Sequence, residues 1–82
     1  MATTSYFEED LYPPNDDGRA DKSKPSNTLE VIVSNFHGDH QIYLKITDES
    51  GEGKTLHLSK EQAKSLSDGC ESADLYIGYD NK

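Results

Sequence analysis

The chain has 82 residues, with 16 acidic against 8 basic side chains, a formal charge of -8, and a composition 32% hydrophobic and 29% charged. That length and a mean hydropathy of -0.89 allow one small domain and leave part of the chain without enough apolar surface to fold. The negative charge repels phosphate backbones and anionic lipid surfaces, so the expected partners include neither directly bound nucleic acid nor a membrane.

Residues 1–27 show no sustained period of 2 or 3.6 and hold all three prolines, Pro13, Pro14 and Pro25, among Asn, Asp, Gly, Ser and Lys. They read as a flexible, disordered N-terminal arm, with the domain proper in 28–82. Within the arm Tyr6, Phe7, Leu11 and Tyr12 interleave with Glu8, Glu9 and Asp10. Disordered segments that dock on a partner carry this acidic and aromatic mixture.

Alternation begins at Thr28. Leu29, Val31 and Val33 share one parity, and after His37-Gly38-Asp39-His40 so do Ile42, Leu44 and Ile46, which predicts two strands. With Gly38 and Asp39 as the central pair of a type II′ turn, Val33 falls opposite Leu44 and Val31 opposite Ile46. The turn over 48–53, rich in carboxylates and glycine, leads to a third strand whose Leu56 and Leu58 keep the alternation. The opposite parity builds an outer face from Glu30, Ile32, Ser34, Tyr43, Lys45 and His57, joined by Phe36.

Ser59 is a helix N-cap, with Gln62 placed to return a bond to its amide and with Leu58 and Ala63 spaced for a hydrophobic staple. Gly69 predicts a stop or kink, although Ala63, Leu66, Cys70 and Ala73 continue one stripe at i, i+3, i+7 and i+10. Leu75, Ile77 and Tyr79 then alternate with Tyr76 and Gly78, which predicts a last strand over 74–79. The expected fold is α+β: a small antiparallel three-stranded meander, one short helix and a fourth strand, β-β-β-α-β, behind the disordered arm. Its core would hold Leu29, Val31, Val33, Ile42, Leu44, Ile46, Leu56, Leu58, Ala63, Leu66, Leu75 and Ile77.

His37, Asp39 and His40 form the one tight cluster with metal-ligand chemistry, and a two-residue turn would oppose the two imidazoles. A stable zinc site takes three or four protein ligands, and distant His57 adds no spacing signature, so a polar hairpin tip without metal or cofactor is the expectation. Asp48, Glu49 and Glu52 lack the ligand periodicity of an EF-hand loop. Cys70 is the sole cysteine, so no internal disulfide forms. No phosphate loop, dinucleotide fingerprint or nucleophile elbow is present, and nothing in the sequence supports an enzyme. No apolar run approaches the roughly 18 residues that span a bilayer, and Met1 to Tyr6 lacks a secretion signal, so the cytoplasm is the expected location.

These features point to a non-enzymatic interaction or regulatory module, monomeric or weakly homodimeric, that presents an acidic surface and aromatic contacts to a basic protein. The candidate contacts are Tyr6, Phe7, Glu8, Glu9 and Asp10 in the arm, Ile32, Phe36 and Tyr43 on the outer face, and Tyr76 near the C-terminus. Arm and domain are both acidic, with six acids against three bases up to Asn27 and ten against five beyond it. A narrower form of this reading is mimicry of nucleic acid, as in small phage-encoded inhibitors. The alternatives are a small-ligand or metal-responsive module using the His37 and His40 hairpin, and a structural homodimer through the outer face.

Overall fold

Five elements follow one another along the chain: β1 (Thr3–Leu11), β2 (Asn27–Ser34), β3 (Gln41–Thr47), β4 (Gly53–Leu58) and α1 (Lys60–Asp80). The strands form one antiparallel sheet in the order β1-β2-β3-β4. This is a computed structural model that describes residues 2–80, with the backbone alone for 79 and 80. The α+β class holds, but the order is β-β-β-β-α in place of β-β-β-α-β. The fourth strand lies at the other end of the chain from where the sequence pattern put it.

Strand β1 occupies part of the segment expected to be an arm without regular structure. Its Thr3, Thr4, Tyr6 and Phe7 are strand formers, and a β-bulge conceals their alternation. Ser5 pairs with Ile32 and Phe7 with Val31, so Tyr6 is one residue too many and the parity switches there. Between β1 and β2 the chain makes a small excursion closed by a bridge between Pro14 and Ala20. Asn15 organises its tip: its side-chain oxygen accepts from the amides of Asp17 at 2.8 Å and Arg19 at 3.1 Å.

The β2–β3 pairing keeps the expected faces and corrects the expected register. Val33 lies opposite Ile42, Val31 opposite Leu44 and Leu29 opposite Ile46, two residues away from the type II′ alignment. The connection is longer than two residues because the Gly38 amide bonds back to the Asn35 carbonyl at 3.0 Å and the Phe36 amide to the Ser34 hydroxyl at 3.2 Å. Gly38, at φ 114°, sits where a side chain would be strained. His37 and His40 lie in this six-residue link rather than at opposed strand positions. A shift of two leaves every side chain on its original face, so parity assigns the faces whichever of the two registers forms.

The β3–β4 turn is built on Asp48, whose carboxylate accepts from the Ser50 hydroxyl at 2.7 Å and from the Ser50 and Glu52 amides, both at 3.0 Å. After β4 the Ser59 cap forms as expected: the Gln62 amide donates to the Ser59 hydroxyl at 3.0 Å and the Ser59 amide to Gln62 Oε1 at 2.9 Å. The helix then runs 21 residues, past Gly69 and through the predicted strand 74–79. One interior glycine disfavours a helix by only about 1 kcal/mol, and no proline follows to stop it.

No apolar side chain among the described residues is buried, so the predicted core does not exist within one chain. Its sheet members do share one surface, the inner face: Leu29, Val31 and Val33 with Ile42, Leu44 and Ile46, flanked by Leu56 and Leu58 and by Phe7 opposite Val31. No described element lies over that surface, and Leu56 is 48% exposed. On the helix Leu66, Leu75 and Ile77 are exposed as well, because α1 leaves the sheet edge instead of covering it. Ser34, expected on the outer face, is the one buried side chain among the described residues, at 5% exposure, and it accepts from Thr3 Oγ1 at 3.0 Å.

Replacing Ser34 by Ala removes both of its bonds and should lower stability by about 1–2 kcal/mol in denaturant titrations. The Asp48 carboxyl titrates below its ordinary 3.8, chiefly through the Ser50 hydroxyl and then through the backbone amides. A lowered folded-state value means that its stabilising contribution is present above 3.8 and disappears as pH falls through the folded value. Asp48→Ala should therefore melt below the parent at neutral pH, with the gap closing in acid. A gap independent of pH would show that the charge on Asp48 contributes nothing.

Candidate functional site

The outer face is ordered in rungs, because antiparallel pairing sets opposed side chains on the same side of all four strands. One rung runs Ser5, Ile32, Tyr43, His57 from β1 to β4. The next runs Glu8, Glu30, Lys45, Thr55. Beyond them Thr28 donates to the Asp10 carboxylate at 3.0 Å, which places Asp10 on the same side. The face thus has an apolar and aromatic row beside a row that carries two opposed carboxylates.

Two edge-to-face ring pairs hold the aromatic row. Tyr43 and His57 meet with centroids 5.9 Å apart, and Phe36 and His37 with centroids 4.8 Å apart. His57 is fixed further by a hydrogen bond between its Nε2 and the Gln41 side-chain amide at 2.8 Å. Each ring pair is worth about 0.5–1.5 kcal/mol where it is well formed, enough to orient rings that stay open to solvent. Ile32, Phe36, His37 and Tyr43 line one open depression with Ser34 and Thr55, and Phe36 at its rim is 64% exposed.

Glu8 and Glu30 face each other across β1 and β2, and like charges at directly opposed positions destabilise a sheet. Lys45 stands opposite Glu30 on the other side, yet among the described residues the ion pair formed is Lys64 to Asp68 on α1 at 3.4 Å, so neither glutamate is closed into a salt bridge. The sheet edge at β1 therefore combines a bulge with Glu8, Glu9 and Asp10, features that discourage another strand from pairing there.

Of the nine candidate contacts, the structure brings Ile32, Phe36 and Tyr43 together, with Glu8 and Asp10 on the same face. Phe7 and Glu9 lie on the inner face, opposite Val31 and Leu29. Tyr6 is the exposed bulge residue, and Tyr76 is exposed on α1, away from the sheet. His37 and His57 join the aromatic row although neither is among the nine candidate contacts. The parity of His57 already placed it outside, and its partner Tyr43 follows from the register. Another depression, between the end of β1 and the Asn15 excursion, mixes Glu9 and Asp10 with Arg19 and Lys22 and so favours neither sign of ligand.

No protein-family model, curated protein or solved structure matches the chain. Among the described residues no three His, Cys, Asp or Glu side chains gather as a metal site would require. Adding a chelator to the purified protein should accordingly leave its melting temperature unchanged. A drop on chelation that His37→Ala abolishes would instead assign the hairpin a metal.

Proposed function

We propose that the chain is a non-enzymatic interaction module whose outer sheet face receives a basic protein partner. The observation that carries this reading is the rung Ile32, Tyr43, His57, extended by Phe36 and His37 and set directly beside the opposed carboxylates Glu8 and Glu30. Pre-oriented aromatic rings supply contact area with little ordering entropy, and such residues dominate binding energy at interfaces. The carboxylate pair supplies the sign. A Lys or Arg from a partner would relieve the repulsion between Glu8 and Glu30, and the overall charge of -8 would steer such a partner toward the molecule.

The same charge disfavours nucleic acid as the ligand, since the face sets Lys45 among the carboxylates Glu8, Glu30 and Asp10, which repel phosphates. No helix among the described residues is long and apolar enough to cross a membrane.

The test is a binding assay with a partner captured from the native host. Changing Ile32, Phe36 and Tyr43 to Ser should weaken binding by two or more orders of magnitude, about 3 kcal/mol. Reversing Glu8 and Glu30 to Lys should slow association and flatten its dependence on salt. Affinity unaffected by both sets, or tight binding to bare DNA or RNA, would remove the outer face from the function.

A further inference from the structure

Two apolar surfaces of this chain stand apart. One is the inner sheet face around Val31 and Leu44. The other is a seam on α1, where Ala63, Leu66, Cys70, Ala73 and Ile77 follow at alternating intervals of three and four residues. None of the charged residues of α1 up to Asp74 occupies a seam position, so the helix is built to lie against something. Yet beyond Ala63 every described side chain of α1 is exposed.

The link between strand and helix decides where the seam can go. Ser59 alone separates β4 from α1, and both its amide and its hydroxyl are engaged in the cap, with its carbonyl accepting from Ala63 at 2.8 Å. Connections that return a helix onto the sheet of its own strand take about 2–6 residues. One capped residue gives α1 no slack to turn back over Leu44, and the molecule is accordingly thin, 45 × 32 × 15 Å. Short, stiff hinges of this kind drive elements to exchange between copies.

We propose that the protein is a homodimer by helix exchange, in which α1 of each copy lays its seam across the inner sheet face of the other. A two-fold arrangement satisfies both copies at once, since each supplies one sheet and one helix. The area suffices. A helix of 21 residues is about 31 Å long and about 10 Å wide, so two helices on two sheets bury on the order of 1,200 Å² in total, the lower bound for a stable interface. Direct packing of sheet on sheet would leave both helix seams in water. The outer face takes no part, so this proposal stands or falls independently of the partner reading.

Sedimentation equilibrium of the full chain should give twice the monomer mass at micromolar concentration. In a sample mixing isotope-labelled and unlabelled chains, intermolecular NOEs should connect Leu66 or Ile77 methyls with those of Val31 or Leu44. Inserting Gly-Ser-Gly-Ser between Leu58 and Ser59 supplies the missing slack, and the dimer should then weaken about tenfold or more as the helix closes on its own sheet. Thermal unfolding of that variant should remain cooperative. A monomeric parent, a dimer with NOEs from sheet to sheet alone, or a lengthened chain that dimerises as tightly as the parent would each overturn helix exchange.

Discussion

A β-sheet with one apolar face is half of a core, and a stable domain supplies the other half as a second layer. Here no described element of the single chain supplies that layer. Fully burying a Val, Leu or Ile side chain is worth about 1.5–3 kcal/mol, and the inner face, Leu11 included, carries nine of them with none buried. The surface ion pair Lys64 to Asp68, at about 0–1 kcal/mol, cannot offset that deficit. Stability must therefore turn on what covers Val31 and Leu44, and the Ser59 cap bears on this more than any sheet residue because it directs the one helix away from the sheet.

The two faces of the sheet make opposite demands. The inner face is continuous and aliphatic, with Glu9 and Lys54 toward its edges, the composition of a surface that gains from permanent cover. The outer face mixes rings, hydroxyls and carboxylates, and its one buried side chain, Ser34, is hydrogen-bonded rather than packed. That mixture tolerates water and suits an association that forms and dissolves. A second copy on the inner face and a basic partner on the outer one are thus compatible, since neither needs the other's residues.

The faces were legible in the sequence because parity is a robust signal. Leu29 to Val33, Ile42 to Ile46 and Leu56 to Leu58 landed on one side even though the β2–β3 alignment differs by two from the turn-based expectation. The Ser59 and Gln62 cap was legible too, its geometry being local. Strand β1 was hidden by the extra residue at Tyr6, which breaks a period of 2. Leu75 and Ile77 alternate over too short a run to define a strand, while the longer stripe from Ala63 through Ala73 favours helix strongly enough to continue past Gly69. The expected core failed for a different reason. Periodicity reports which side chains want burial, and connection length decides whether one chain can bury them.

A sheet one residue thick also makes neighbours in sequence act on separate surfaces. Val31 and Ile32, Tyr43 and Leu44, and Leu56 and His57 each divide between inner and outer faces across a single backbone. Backbone pairing at these positions serves both, so whatever covers Leu44 also steadies the strand that aims Tyr43. Covering the inner face would then order the outer rung without touching it and reduce the entropy that a partner must overcome on binding. Such a coupling would run through β2 and β3, the central strands that contribute residues to the aromatic rung and to the aliphatic face alike.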